Sequence, residues 1–84
     1  MMLTVEISMY PLQENYRSLI GEFIERLNQY PDFRIATSDT STTVIGDYHG
    51  IMSMLTELMQ WSCQTHGRAV FVTKFIPGYD PARP

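Results

Sequence analysis

A polar and β-branched stretch in the middle of the chain, residues 37–47, restricts the fold more than any other segment. Its first part, Ser38–Ser41, carries short polar side chains that bond their own backbone in tight turns. The following Thr42–Ile45 predicts a strand, because β-branched residues favour extended backbone. Asp47 stands just before an apolar pattern of helical period, where its carboxylate can cap free N–H groups. The stretch therefore predicts a hairpin, a strand and a helix start in direct succession.

The first third of the chain predicts one strand and one helix. Apolar and polar residues alternate from Leu3 to Met9, as in a strand with one buried face, and Pro11 ends the pattern. Over 16–27 the apolar residues instead recur every three or four positions, which predicts an amphipathic helix with Asn15 as its N-cap. Gly21 lies inside this helix, where we expect close packing to compensate for its low helix propensity.

The second half of the chain predicts two further strands and another helix. A short strand over 33–37 precedes the hairpin, and a helical apolar period begins at Tyr48 and ends at Gly67. A stripe of methionines on this helix is expected to be mostly core: Met52, Met54 and Met59. The last strand, 69–76, is apolar on both faces. One face carries Phe71 and Phe75, and the other Val70, Val72 and Ile76. Lys74 shares the second face, so we expect the first to be buried.

The elements follow in the order β-α-β-β-α-β. Right-handed crossovers around a hairpin arrange this order as a ferredoxin-like α+β sandwich, a four-stranded antiparallel sheet with two helices on one face. We expect residues 1–80 to form a single domain of this kind and residues 81–84 to be a mobile C-terminal tail. The open sheet face would carry Glu6, Ser8, Tyr10, Thr43 and Ile45. Because so small a domain is marginal alone, we expect a homo-oligomer that uses this face or the sheet edges.

Composition excludes several classes of function. The net charge is −3, whereas nucleic-acid binding needs a basic face. Cys63 is the single cysteine, which excludes an internal disulfide and a cysteine-based metal cluster, and we expect a buried structural thiol. No apolar run is long enough to span a membrane, and the first residues alternate like a strand rather than a signal peptide. We therefore expect a cytoplasmic protein without membrane insertion, nucleic-acid partner, metal or cofactor.

A candidate binding site lies where the strands of this fold end. The ends of the first two strands, the hairpin, the start of the first helix and the end of the second share one rim. Thr37 and Thr42 take the core-facing phase there, with Asp39 above them in the turn. A mostly apolar pocket with a few convergent polar groups suits a small ligand. The expected neighbours are Met9, Leu12, Tyr16, Met59 and Ser62. Alternatively, the threonines only bond nearby backbone and Asp39 builds the turn, which the pattern alone favours.

Residues with catalytic spacing are scarce. His49 and His66 lie on one helix but far beyond the one-turn spacing of a shared metal site. Cys63 has only His66 near it in sequence, which is weak support for a catalytic dyad. Trp61 falls off the apolar stripe of its helix and suggests a contact surface. We therefore expect no enzyme and no catalytic or metal-binding residue.

Three short motifs connect the chain to a known family: residues 7–12 (ISMYPL), Thr37 with residues 41–46 (STTVIG), and residues 75–80 (FIPGYD). In their order and spacing the chain resembles, over most of residues 3–80, the YkoF-like thiamine and hydroxymethylpyrimidine-binding proteins. These are kin of a wider thiamine-binding superfamily with the ferredoxin-like fold. The resemblance implies a protein that binds the vitamin or its pyrimidine precursor without transforming it, in connection with uptake. YkoF itself carries two such repeats, whereas this sequence carries one.

The resemblance also implies ligand-binding residues at the matching positions: Ser8, Tyr10, Thr37, Ser41 and Thr42. Asp39 is added on chemistry alone. Hydroxyls and a carboxylate suit the amino donor and ring-nitrogen acceptors of an aminopyrimidine. An aromatic ring or an acidic group suits a thiazolium cation.

Three functions stay open at this point. The leading hypothesis is a non-catalytic binding protein for thiamine or its hydroxymethylpyrimidine moiety, linked to vitamin uptake or salvage. The second is an oligomeric protein-interaction module without a ligand, and the third is a cofactor-free enzyme on a dimeric ferredoxin-like barrel. A polar, roomy rim favours the first, a pocket filled by side chains the second, and an ordered His or Trp in a deep cavity the third.

Overall fold

The computed structural model describes residues 1–83, so Pro84, the last residue of the predicted mobile tail, lies outside the described residues. The elements are β1 (Met2–Pro11), α1 (Tyr16–Leu27), β2 (Arg34–Thr37), β3 (Thr42–Asp47), α2 (Tyr48–His66) and β4 (Ala69–Pro77). The strands form one antiparallel sheet in the order β2-β3-β1-β4, and both helices pack against the same face. This is the predicted ferredoxin-like α+β fold.

The central strand β1 supplies one side of the core. Its alternating residues Leu3, Val5, Ile7 and Met9 are all buried against the helices. Val44 lies opposite Val5 on β3, and Phe75 lies opposite Val5 on β4. Because paired residues share a face of the sheet, β1, β3 and β4 have the predicted phases, but Phe75 is 48% exposed rather than buried as expected.

Helix α1 buries the centre of the predicted apolar stripe, whereas Tyr16 at its start is exposed, and it differs in two further details. Leu19, Phe23 and Leu27 are its buried residues, and Phe23 packs against the ring of Phe71 with centroids 5.4 Å apart. Asn15 occupies the N-cap position, yet its side chain makes no capping hydrogen bond. Gly21 is exposed, and a Cβ there would meet nothing within 4 Å. The expected close packing at Gly21 is therefore wrong, because this position faces solvent.

Helix α2 begins and ends as the sequence predicts. The Asp47 carboxylate accepts a hydrogen bond from the Gly50 N–H at 3.0 Å, and Gly67 ends the helix with φ 86°. The methionine stripe is only partly core. Met54 is buried, whereas Met52 and Met59 are exposed, since the buried face is centred on Ile51, Leu55 and Leu58.

A close contact between Phe33 and Gly46 fixes the packing at the end of β3 that precedes α2. A Cβ at Gly46 would lie 2.5 Å from Cδ1 of Phe33, so the ring of Phe33 rests directly on the glycine backbone of β3. The same ring stacks on Tyr30 with centroids 6.1 Å apart. A side chain larger than hydrogen at position 46 would displace this stack.

The chain after β4 turns back across the open sheet face. Gly78, with φ 75°, donates its N–H to the Met2 carbonyl at 2.7 Å, and the Thr4 hydroxyl donates to the Tyr79 carbonyl at 2.7 Å. Asp80 forms an ion pair with Arg34. The Ala82 N–H, and then the Arg34 guanidinium, hold the pKa of the Asp80 carboxyl below its usual value. Thr4 lies on the open face and is only 5% exposed, because the returning chain at Tyr79 contacts it. The mobility expected for residues 81–84 stays a prediction.

Neither of the helices within residues 1–83 combines the length and hydropathy needed to cross a membrane.

A candidate ligand site at the hairpin rim

The β2–β3 turn is closed by its own serines. The Ser38 N–H donates to the Ser41 carbonyl at 2.8 Å, and the Ser38 hydroxyl lies 3.2 Å from the same oxygen. The two serine hydroxyls lie 3.3 Å apart. The local backbone bonding predicted for the Ser38–Ser41 turn therefore accounts for Ser38 and for part of the hydrogen-bonding capacity of Ser41.

The two threonines at the base of the turn are used differently. Thr42 pairs across the hairpin with Thr37 and, on its other side, with Ile7 of β1. The Oγ1 atoms of the two threonines are 3.3 Å apart, and Thr42 is only 4% exposed. Each hydroxyl has one O–H and two lone pairs, and their mutual bond uses one O–H. Within residues 1–83 neither hydroxyl has another hydrogen-bond partner, so one donor and several lone pairs stay free.

These hydroxyls face a small cavity between the hairpin and helix α1. Its volume is about 110 Å³. The polar wall is formed by the hairpin residues Thr37, Ser38, Asp39, Thr40, Ser41 and Thr42. The apolar wall is formed by Ile7 and Met9 of β1 and by Ile20, Phe23 and Ile24 of α1. An apolar floor with hydroxyls and one carboxylate on a single side can bind a flat ring and fix its orientation.

A wider, more open depression of about 380 Å³ adjoins this cavity. Met9, Ile20, Asp39 and Thr40 line both hollows, and we call the two hollows together the groove. The depression adds the exposed rings of Tyr10 and Tyr16, together with Pro11. Asp39 is the only charged residue lining either hollow within residues 1–83. Arg17 lies just outside, 5.9 Å from the Tyr16 ring. The groove itself therefore suits a neutral or cationic ligand.

The six sequence-predicted site residues fall into three groups. Thr37, Asp39, Ser41 and Thr42 line the cavity, and Tyr10 lines the adjoining depression. Ser8 lies on the open sheet face and lines neither hollow; its hydroxyl donates to the Thr40 carbonyl at 3.1 Å. Ser8 thus supports the turn from behind, and a direct contact with ligand stays a prediction for all six residues.

The expected apolar neighbours were only partly right. Met9 lines both hollows and Tyr16 lines the outer one, whereas Leu12, Met59 and Ser62 line neither. Ser62 is buried and Met59 faces solvent, and the helix residues that line the cavity belong to α1. The sequence analysis missed the contribution of α1, whose lining residues are Ile20, Phe23 and Ile24.

The other singled-out side chains do not gather into a site. Cys63 is exposed, so the expected buried thiol is wrong. Trp61 is half-buried, with the Arg26 guanidinium 4.6 Å from its ring centre. His66 lies against Trp61 and 3.8 Å from the Glu22 carboxylate. Within residues 1–83 no three His, Cys, Asp or Glu side chains are placed to hold a metal ion.

Comparisons with known proteins support the fold. No protein-family model matches the chain, and no curated protein sequence matches it. Among solved structures it is similar to a "putative thiamine biosynthesis/salvage protein" from Thermotoga maritima. That likeness has a TM-score of 0.83 and 24% identity, over 98% of this chain and 87% of that one. A Streptococcus pneumoniae protein gives 0.85 and 17%, over 94% and 89%. A domain of unknown function, DUF77, from Bacillus cereus gives 0.75 and 20%, over 96% and 78%.

Proposed function

We propose that this protein binds thiamine or its hydroxymethylpyrimidine moiety reversibly and leaves it chemically intact. The observation that carries the proposal is the groove at the hairpin rim, in which a hydroxyl pair and one carboxylate face an apolar floor. A polar, roomy rim was the feature expected of a binding protein; the rim is polar, and its inner cavity is small, about 110 Å³. The enzyme alternative was expected to have an ordered His or Trp in a deep cavity. No His or Trp lines either hollow within residues 1–83.

The inner cavity complements an aminopyrimidine. Such a ring presents an amino donor beside a ring-nitrogen acceptor, and the Thr37–Thr42 pair offers one free O–H donor beside free lone pairs. The faces of the ring would lie between Ile7 on the sheet side and Ile20 and Ile24 on α1. Asp39 at the mouth can accept a further bond from the amino group.

The outer depression complements a cationic ring. The inner cavity, about 110 Å³, is smaller than the roughly 300–1,000 Å³ of pockets that enclose a whole drug-sized ligand. We infer that the pyrimidine enters the cavity, with some widening at the turn, while the thiazolium stays outside. There the rings of Tyr10 and Tyr16 and the Asp39 carboxylate can stabilise its positive charge.

Two further points support this assignment. One protein of the same fold, from Thermotoga maritima, is itself named for thiamine biosynthesis or salvage. The motifs around residues 7–12, 41–46 and 75–80 resemble the YkoF-like family, to which we propose the chain belongs. A role in vitamin uptake or salvage would place it in the cytoplasm, where a free, exposed thiol such as that of Cys63 is ordinary.

A thermal-shift screen tests the proposal. The ligands are thiamine, hydroxymethylpyrimidine and the thiazole half alone. A ligand at 100 times its Kd stabilises the folded state by about 2.7 kcal/mol, which for a domain of this size is a Tm increase of roughly 10 °C or more. We expect thiamine and hydroxymethylpyrimidine to raise Tm and the thiazole half to raise it least. If none of the three shifts Tm at millimolar concentration, the proposed function is wrong.

We also propose that the protein acts as a homo-oligomer. The small size of the domain supports this, since a short chain gains stability from additional burial. Exposed apolar side chains on the open face support it as well: Val70, Val72 and Ile76.

A further inference from the structure

The inner cavity is smaller than the ring that we propose to bind there. Its volume is about 110 Å³, whereas a dry apolar cavity that holds benzene has about 150 Å³. Hydroxymethylpyrimidine is a ring of the same size that carries further substituents, so it needs more room than benzene. One wall of the cavity must therefore move before the whole ring can enter.

The sheet wall and the helix wall of the cavity are fixed by the core. Ile7 and Met9 are buried and belong to β1, which pairs with a strand on each side. Phe23 of α1 is 2% exposed and packs against Phe71. Moving either wall would expose core side chains to water, which costs far more free energy than moving a surface turn.

The remaining wall is the β2–β3 turn, residues 38–41, which lies beyond the end of the sheet. The ladder ends at Thr37 and Thr42, so no residue of the turn pairs with a strand within the described chain. The hydrogen bonds between Ser38 and Ser41 stay inside the turn. The turn can therefore move as one body about its two threonines and keep its internal bonds.

A single hydrogen bond joins this turn to the rest of residues 1–83. The Ser8 hydroxyl donates to the Thr40 carbonyl at 3.1 Å. Ser8 lies on the open face of β1 and lines neither hollow, so it reaches the turn from the side away from the ligand site. Thr40 lines both the inner cavity and the outer depression. The bond therefore holds against β1 the residue that borders both hollows.

We propose that the β2–β3 turn is a gate for the ligand and that Ser8 is the positioning residue that holds this gate closed. The proposal rests on the proposed function and adds the entry step to it. The turn moves away from β1, the ring enters between Met9 and Thr40, and the Ser8 hydrogen bond forms again over the bound ring. Ser8 acts on the ligand through the turn, in place of the direct contact that the resemblance implies.

A hydrogen bond in this position changes rates more than affinity. One exposed hydrogen bond shifts the equilibrium between two conformations by about two- to tenfold. Because the bond is present in the free and in the bound protein, its loss favours the open turn equally in both, so Kd changes by less than about twofold. Association and dissociation of the ligand both become faster. A direct contact between Ser8 and the ligand would instead weaken affinity through dissociation alone.

NMR relaxation dispersion on the free protein tests the gate without any ligand. We expect the amides of residues 38–41 to exchange with a minor, open conformation on the microsecond-to-millisecond timescale. Ser8→Ala should raise the population of this conformation about two- to tenfold, and Ser8→Thr, which keeps a hydroxyl, should restore the wild-type population. Thr43→Val deletes another hydroxyl of the open face, on β3, and as the matched control should behave like wild type. Identical exchange in Ser8→Ala and wild type would overturn the proposal.

Line-shape analysis of an NMR titration with hydroxymethylpyrimidine tests the effect on the ligand. We expect both rate constants to rise about two- to tenfold in Ser8→Ala at a nearly unchanged Kd, and to return to wild-type values in Ser8→Thr. Unchanged rate constants in Ser8→Ala, or weaker affinity at an unchanged association rate, would overturn the gate and leave the proposed function standing. If wild type binds neither hydroxymethylpyrimidine nor thiamine, the proposed function is wrong and the gate falls with it.

Discussion

Replacing Thr42 by valine tests the hydroxyl pair with the least change of shape. Valine keeps the branched form and the β propensity of threonine and deletes only the hydroxyl. Thr42 is 4% exposed and its Oγ1 bonds only Thr37, so water cannot easily replace the lost group when ligand occupies the cavity. A ligand donor or acceptor left unpaired costs about 1–3 kcal/mol, which is roughly a tenfold or greater loss of affinity.

The effect on folding should be small by comparison. Thr37 lies on the exposed side of the pair, so its own hydroxyl can bond water once Thr42 is changed. We expect the free energy of unfolding to change by less than about 1 kcal/mol.

Calorimetric titration with hydroxymethylpyrimidine provides the measurement. Thr43→Val is the matched control, since it makes the same substitution one residue along the same strand but on the open face. We expect Thr43→Val to bind like wild type and Thr42→Val to bind at least tenfold more weakly. Equal affinities for Thr42→Val and wild type would refute the site while leaving binding itself intact.

Three further predictions concern charge, core and surface. Asp39→Asn should weaken thiamine more than neutral hydroxymethylpyrimidine if the carboxylate serves the cation, and both alike if it serves the amino group; calorimetry with both ligands separates these outcomes. Phe23→Ala should destabilise the fold by about 3–5 kcal/mol, because Phe23 is 2% exposed; unchanged thermal melting would contradict its core placement. Gly21→Ala should stabilise it by about 0.5–1 kcal/mol, since a Cβ there meets nothing; a lowered Tm would contradict that geometry.

The order and phase of the elements could be predicted because each depends on local periodicity. The alternation from Leu3 to Met9 and the helical period over 16–27 give the buried face of β1 and of α1 directly. The caps at Asp47 and Gly67 follow from side-chain and backbone chemistry within one turn. These features require no knowledge of what packs against them.

The errors arise where packing from other elements decides. Met59 has the spacing of a buried helix position, and close packing was expected at Gly21 because of its low helix propensity, but both positions are exposed. The exposure of Cys63 has the same cause. A helical period predicts which side of the helix is buried, but it does not determine how wide the buried stripe is.

The candidate site was predicted on its hairpin side and missed on its helix side. The phases of Thr37 and Thr42 follow from strand alternation, so their convergence could be expected. The choice of α1 over α2 as the apolar wall depends on the lateral position of the helices above the sheet. That position results from the packing of whole elements, so no local sequence pattern identifies Ile20 or Ile24 as residues that line the cavity.

The conflicting phase of β4 has a physical origin. Both faces of the strand are apolar, and the structure buries neither of them completely: Val72 and Phe75 point to opposite sides, and each is about half exposed. The two apolar faces of β4 therefore give no clear phase, and the strand order places β4 at an edge of the sheet, paired with β1.

A ligand titration followed by amide NMR tests the central claim most directly, because it reports binding and its location together. Hydroxymethylpyrimidine is added to isotope-labelled wild-type protein. We expect the largest shift changes at residues 37–42 and at Met9 and Ile20, which line the groove, with small changes at Val70 and Val72 on the open face. No change at saturating ligand, or changes confined to the open face, would contradict binding at the hairpin rim.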